Sequence, residues 1–491
     1  MSARKALGLI LGFALARLAL VSTLGLGRDE AYTLVVSRAL ALSYFDHPPL
    51  HQWLAHASAD LFGETVWARL PFVALFALTG GLMFALTRAL YGDRAAIVAL
   101  VALNLPPFFF ASAGSWIVPD GPLLAALALA AWALSRIFFS SASNTRAWLL
   151  WGVAGAGFGL AGLSKYSAAL TALGVLGFIV ASPSQRRWLR HPAPYGAALV
   201  ALVIVSPVFV WNDAHDWVSF RFQGGRGAPG GGGGAIAVLA MFLGEAAYLL
   251  PWILAALIAA AFRAAREGGD RARFLLWLAL PAIVVFTITP LWGDRGLPHW
   301  TMPGWFFLFP LLGQAALTWR FDLRRWAIGS AMFVAALAIA VVTQTREGWM
   351  EALAGRNLPD PTLESLDWAD LRSAPALAGR PAFVATTKWW EAGKVGVALG
   401  PETPIFVFSD DPRVIAFLQE GAAFIGRDAV IIAERRRLDW IQTTLAPYFT
   451  RLDPPQAFSL GRGGRAEVEL VLVPAHGLTR AFPVPYRLGG R

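Results

Sequence analysis

Residues Gly27–Leu50 read GRDEAYTLVVSRALALSYFDHPPL and follow directly on an apolar run from about Ala6 to Leu26. A run of that length matches the roughly 20 residues an α-helix needs to cross a bilayer. It is preceded by the basic stretch Met1–Lys5 and lacks the small-residue exit of a cleaved signal peptide, so it reads as a retained first span. Acidic, basic, imidazole and proline residues then crowd the point where the chain leaves lipid. Asp29 and Glu30 suit the positive end of a new helix, and Asp46–Pro48 suits an N-cap with proline in the first turn. Either motif alone reads as a helix start. Both in one loop read as a site.

Outward from this loop the whole chain has the composition of a membrane protein. Of 491 residues, 57% are hydrophobic and 15% charged, with a mean hydropathy of +0.55, whereas soluble domains carry about 25% charged residues. Further apolar runs lie at about Ala68–Leu90, Ala95–Phe110, Pro122–Phe139, Trp148–Leu163, Ser167–Ala181, Ala197–Trp211, Ile236–Ala261, Phe274–Leu291, Met302–Leu317 and Trp326–Val342. The sequence therefore predicts about eleven crossings. The net charge of +10 resides largely in short connections, among them Arg88 and Arg94, Arg136 and Arg146, Arg186–Arg190, Arg263–Arg273 and Arg320–Arg325. This pattern reports topology rather than a nucleic-acid partner, and it places the N-terminus and these loops in the cytoplasm. The opposite face then receives Gly27–Thr65, Ala111–Gly121, a turn near Lys165, Asn212–Gly234, Trp292–Trp300 and everything after about Thr343. The absence of Cys excludes disulfides, thiolate metal sites and Cys nucleophiles.

The expected division is a membrane domain over residues 1–345 and a periplasmic domain over 346–491. In the latter, Ala382–Thr386, Ile405–Ser409, Val430–Ala433 and Val468–Val473 read as buried strands. Lys388–Leu399, Pro412–Glu420 and Arg436–Tyr448 read as helices between them, giving a small α/β sandwich. Gly224–Gly234 (GGRGAPGGGGG) reads as a slack outer connector or a gate. Gly155–Gly159 (GAGFG) lies inside an apolar run and reads as close helix packing. No Walker loop, HExxH or GxSxG is present, which removes the usual signatures of ATP-driven transport, zinc proteolysis and serine hydrolysis.

Three more outer segments carry polar chemistry. WIVPDG (Trp116–Gly121) brings Asp120 to the face that holds Asp29, and two carboxylates from separate loops suit general-base work. GLSKYS contains Lys165, which either snorkels to the interface or meets an anion. WGDRGLPHW (Trp292–Trp300) adds Arg295 and His299, and with Lys165 these groups suit a phosphate. Asp46, His47 and His51 are candidate ligands for a divalent metal. His56, His191, His215 and His476 read as interfacial or surface residues.

The ordered set DEAY…YFDHPPL…RLP, VPDG, GLSKYS and LPHWTMPGWFFL resembles the protein O-mannosyltransferase type of membrane glycosyltransferase, in particular its bacterial branch, which includes the lipid A aminoarabinose transferase. The resemblance covers about residues 10–320, and KWWEAGKVGVALG…FVFSDDPR…FIGRDAVII is similar to the extra-membrane domain of some bacterial members. It implies a GT-C fold: a bundle of membrane helices, interfacial helices in the first periplasmic loop around an outward cavity, and a small C-terminal α/β periplasmic domain. It also implies a bacterial inner-membrane enzyme that takes a sugar from a polyprenyl-phosphate donor and passes it to a lipid or protein acceptor. On that pattern Asp29 matches the proposed base, Asp46 the acidic residue of the YF(D/E)-x-P motif and Asp120 the second-loop aspartate. The pattern has an acidic–Lys pair where this chain has Asp46–His47. Glu30, Asp46, His47, Lys165, Arg295 and His299 are then the expected substrate and phosphate contacts; the resemblance calls for no cofactor, and the residues leave a divalent metal open.

A sugar on polyprenyl phosphate already has a good leaving group, so the work left to the protein is deprotonating the acceptor and stabilising phosphate charge. Asp29 is the expected base in a single displacement with inversion. Asp120 is expected to orient the acceptor or tune Asp29, since neighbouring carboxylates raise one another's pKa. Two other classes compete: a secondary transporter or flippase, whose polar residues belong mid-span, and an envelope scaffold that binds through its C-terminal domain. The sugar and the acceptor stay open.

Overall fold

A computed structural model describes residues 2–140, 143–228, 233–293, 296–319, 322–354 and 360–486. Arg295, Arg320 and positions 229–232 of the glycine-rich segment lie outside the described residues. Among the described residues, six helices are long and apolar enough to cross a bilayer: Val66–Tyr91, Asp120–Phe139, Asn144–Ser164, Pro192–Ala214, Asp270–Leu291 and Leu323–Glu347. Two of the expected straight spans are sharply bent instead. The run Ala95–Phe110 becomes Asp93–Leu103 plus Phe108–Ser115 at 90°, and Ile236–Ala261 becomes Gly234–Leu249 plus Pro251–Glu267 at 102°. Pro106, Pro107 and Pro251 supply the reason, because proline removes an amide donor and collides with the preceding turn. The other three expected runs hold α1 (Ser2–Val21), which contains Arg4, Lys5 and Arg17, the 14-residue helix Ala168–Ala181, and the two pieces Met302–Phe306 and Phe309–Ala316.

Bending a helix inside lipid frees carbonyls that must find donors. Arg17, buried within the bundle, provides them. Its guanidinium donates to Phe109 O at 3.1 Å, Phe110 O at 3.0 Å and Asn104 Oδ1 at 2.8 Å. This intramembrane cation therefore satisfies a broken span.

Between α1 and the Val66–Tyr91 span, the connecting loop forms α2 (Arg28–Ser37) and α3 (Leu50–Phe62). One buried ion pair ties them to the bundle. Glu30 receives Arg69 Nε at 2.7 Å and Nη2 at 2.6 Å, and also accepts from the amides of Gly27 at 2.8 Å and Ile117 at 3.2 Å. Arg69 spends its remaining donors on the carbonyls of Val21, Leu24 and Gly25, at 3.0, 2.8 and 2.8 Å. The end of α1, the start of α2 and the loop holding Ile117 thus meet at one carboxylate.

The C-terminal region builds a six-stranded sheet rather than the four strands expected, ordered β2-β1-β3-β6-β4 with β5 also on β6. Here β1 is Phe383–Thr386, β2 Ile405–Val407, β3 Ala429–Glu434, β4 Phe449–Leu452, β5 Gln456–Arg462 and β6 Arg465–Leu478. The pairs β1–β2 and β1–β3 are parallel, and β6 runs antiparallel to its three neighbours. Of the expected helices, Trp389–Leu399 forms, Pro412–Glu420 shrinks to Ile415–Leu418, and Arg436–Tyr448 is a series of short helical turns.

This domain is pressed onto α2. A Cβ on Gly393 would lie 2.5 Å from the Tyr32 backbone nitrogen, so only glycine permits the approach. Lys394 Nζ reaches across to donate to Leu26 O at 2.6 Å, and Arg38 Nη2 donates to Gly396 O at 2.8 Å.

Removing one member of a buried ion pair strands its partner, at a cost of about 3–5 kcal/mol. Glu30→Gln is therefore expected to lower the thermal unfolding temperature of the purified protein sharply, far more than Asp29→Asn at the adjacent position. Equal melting curves for the two variants would contradict this.

Candidate active site

The Glu30 lock decides where its neighbour points. Successive side chains on a helix diverge by about 100°, so drawing Glu30 into the bundle turns Asp29 outward, and Asp29 is solvent-exposed. Protein atoms nonetheless surround it closely enough to penalise its charge, which places it on the wall of a recess. That crowding raises the Asp29 carboxyl above the usual carboxylate range. Arg413 and His47 oppose the rise, while Glu364 and Asp46 reinforce it.

Asp46, itself buried, is a neighbouring carboxylate. Its Oδ2 lies 3.2 Å from the Tyr32 hydroxyl, which donates to it, and 3.8 Å from Arg413 Nη1. Its Oδ1 lies 3.6 Å from His47 Nδ1. Tyr32 and Asp29 stand three residues apart on α2, the spacing that puts side chains on one helical face. Burial works against the Asp46 charge, but the adjacent His47 imidazole and then the charge of Arg413 outweigh it and hold the carboxyl down at about 2.

The second acidic position has a different partner from the one expected. Asp120 is buried and its Oδ1 lies 2.9 Å from Lys165 Nζ. The two residues expected to face Asp29 and a phosphate respectively are paired with each other, and the carboxylates that weigh most on Asp29 are Glu364 and Asp46. His47, about one-third exposed, links the two regions, since its field reaches Asp29, Asp46 and Asp120 alike.

Glu30, expected as a substrate contact, is filled by Arg69 and two amides and has no access to the recess. His299 was expected to offer a cationic or donating group. Burial, with the charge of Lys165, pushes its imidazole down to about 3, so it is neutral at physiological pH and donates or accepts only as a dipole. His51 is likewise pushed well down by burial and by the charge of His47. The metal candidates Asp46, His47 and His51 do not converge. Asp46 Oδ2 faces Tyr32 and Arg413, the rings of His47 and His51 are 5.4 Å apart, and no group of three or more His, Asp or Glu among the described residues is arranged to hold an ion.

Arg413 is the site residue that sequence reasoning missed. It lies in the FVFSDDPR segment after β2, and its guanidinium covers the Trp389 ring at 3.9 Å. Trp389 packs edge-on against Tyr32 with ring centroids 4.9 Å apart, and the Val414 amide donates to the Tyr32 hydroxyl at 3.1 Å. Two adjacent acids before Pro-Arg were the available signal. Nothing local said that they met the first loop.

Known proteins share this architecture. ArnT from Cupriavidus metallidurans, both in the apo state and bound to undecaprenyl phosphate, superposes with a TM-score of 0.65 at 16% and 15% identity. The match covers 95% of this chain and 98% of ArnT. The chain has the fold of the GT-C membrane glycosyltransferases. Residues 46–211 also match the family model described as dolichyl-phosphate-mannose-protein mannosyltransferase. The lipid A galacturonosyltransferase RgtD of Rhizobium johnstonii is 26% identical over 311 residues, spanning 59% of this chain and 60% of that relative's length. The family match opens at Asp46, so it includes the Asp46–His47 pair, Asp120 and Lys165 but not Asp29 or Arg413.

The contacts of Asp46 also stabilise the fold. A carboxyl lowered from 3.8 to about 2 contributes about 2 kcal/mol at neutral pH. This contribution is present above the unfolded pKa and is lost as the pH falls through the folded value, in the window from about pH 4 down to about pH 2. Thermal unfolding of Asp46→Asn should therefore be lower than wild type at neutral pH and should converge with it across that window. A gap independent of pH would contradict the assignment.

Proposed function

We infer that this protein is an inverting glycosyltransferase that moves a sugar from a polyprenyl-phosphate donor to a glycolipid acceptor at the periplasmic face of a bacterial inner membrane. The observation that carries this reading is Asp29: a solvent-reached carboxylate on a recess, adjacent to a locked Glu30 and bordered by Asp46, His47 and Arg413. Polyprenyl phosphate is favoured by the ArnT likeness, whose complex holds undecaprenyl phosphate. Lipid A is favoured as the acceptor by the name of the curated relative.

In this reaction an acceptor hydroxyl loses its proton to Asp29 as its oxygen bonds to the anomeric carbon. The bond from that carbon to the phosphate oxygen breaks, and its electron pair leaves with polyprenyl phosphate. Asp29 suits the base because crowding raises its proton affinity while Arg413 and His47 keep the ionised form accessible. His47 and the Asp120–Lys165 pair border the space where phosphate charge develops. The site acids Asp29 and Asp120 stand in the first turns of their helices and Asp46 in a loop rather than mid-span, which favours transfer over the transport reading.

General-base catalysis contributes typically 10²–10⁴-fold. Asp29→Asn in membranes supplied with a polyprenyl-phosphate sugar and lipid A is expected to lose about that factor in rate with the melting temperature preserved. Mass spectrometry of lipid A from cells with and without the gene should show one added sugar only when the wild-type protein is present. A fully active Asp29→Asn protein would remove Asp29 from the role.

A further inference from the structure

The arginines around the first loop divide into two kinds. Arg69 is saturated by Glu30 and three carbonyls, and Arg38 is bidentate to Glu64 at 2.6 and 2.5 Å. Arg413 has no such fork. It makes two loose ion pairs, 3.8 Å to Asp46 and 3.5 Å to Asp411, and stacks on Trp389. Its backbone sits at φ 49°, a left-handed conformation that an L side chain adopts at a cost and that persists where the surroundings impose it. Those surroundings are the Tyr32 hydroxyl bonded to the next amide, Val414, and the Trp389 ring beneath the guanidinium.

The result is a cation carried by the sheet domain but aimed at carboxylates of the membrane domain. We propose that the C-terminal domain is a working part of the transfer site, with Arg413 as a positioning residue that holds Asp46 and balances the negative charge around Asp29. The proposal rests on the transfer reading above for its kinetic consequence, whereas the placing of Arg413 against Asp46 stands on the geometry.

The groups that act on Asp29 come from several elements. Arg413 belongs to the sheet domain, Asp46 and His47 to the loop before α3, and Glu364 to the segment entering the sheet domain. Tyr248, from the helix Gly234–Leu249, also lies within electrostatic reach of Asp29. Against two carboxylates, Arg413 is the strongest opposing charge. Deleting it favours protonation of Asp29, so the base is lost at a higher pH and the acid limb of the rate profile moves upward.

The test uses the full-length protein in nanodiscs. Wild type, Arg413→Lys, Arg413→Gln, Arg413→Met and Trp389→Leu are compared in two ways: the pH profile of kcat/KM with a polyprenyl-phosphate sugar and lipid A, and carbodiimide labelling of the Asp29 carboxyl mapped by mass spectrometry across an acid-to-neutral series. Arg413→Gln and Arg413→Met are expected to shift the acid limb upward by about one pH unit, about tenfold in rate on that limb. Labelling of Asp29 should persist to correspondingly higher pH. Arg413→Lys should restore most of both, and Trp389→Leu should show a smaller shift in the same direction. A purely structural role would lower activity at every pH without moving the limb. Unshifted labelling in Arg413→Gln or Arg413→Met would overturn the proposal. Absence of wild-type turnover would instead count against the transfer reading, and the labelling would still decide the role of Arg413.

Discussion

The pairing of Glu30 with Arg69 is the interaction on which the candidate site of this protein depends. Two adjacent acids stand at the start of α2, and their fates are opposite because a helix cannot point both the same way. Glu30 turns inward to a guanidinium that also gathers the loose carbonyls at the end of α1. Asp29 is consequently held outward. A surface pair of the same residues would contribute little. Buried, and with every polar atom supplied, it fixes the rotation of α2 and with it the recess.

The recess is also a meeting of two domains. Glycine at position 393 lets the Trp389–Leu399 helix touch the backbone of α2, and Lys394 spans the same gap to Leu26 O. Burial lowers the Lys394 ammonium to about 8, and its hydrogen bonds go to the carbonyls of Leu26 and Leu366. The sheet domain brings Trp389 and Arg413 to carboxylates that belong to the first loop. Its contribution is therefore electrostatic as well as mechanical, since the charge felt at Asp29 depends on a residue more than three hundred positions away.

Much of the architecture was legible in the chain because hydrophobic length and periodicity are local properties. The apolar helix α1, the strands β1, β2, β3 and β6, and the Trp389–Leu399 helix all carry such a signal. The bends at Pro106–Pro107 and at Pro251 were hidden by continuous apolar runs. The strands β4 and β5 were missed because their faces are largely exposed and lack an apolar run. Asp29, Asp46 and His47 were recognisable as unusual from their crowding at a membrane boundary. What the chain could not disclose was pairing: that Glu30 meets Arg69, that Asp120 meets Lys165, and that Arg413 meets Asp46. Such partners are chosen by tertiary packing, and residue type alone does not reveal them.

The central claim is that transfer takes place in the recess bordered by Asp29, Asp46, His47 and Arg413. The most direct measurement is an experimental structure of the full-length protein with undecaprenyl phosphate bound. The account predicts the lipid phosphate inside that recess, within hydrogen-bonding reach of His47 or Arg413 and facing Asp29. A phosphate bound on the opposite side of the bundle, or separated from Asp29 by closed protein, would contradict it.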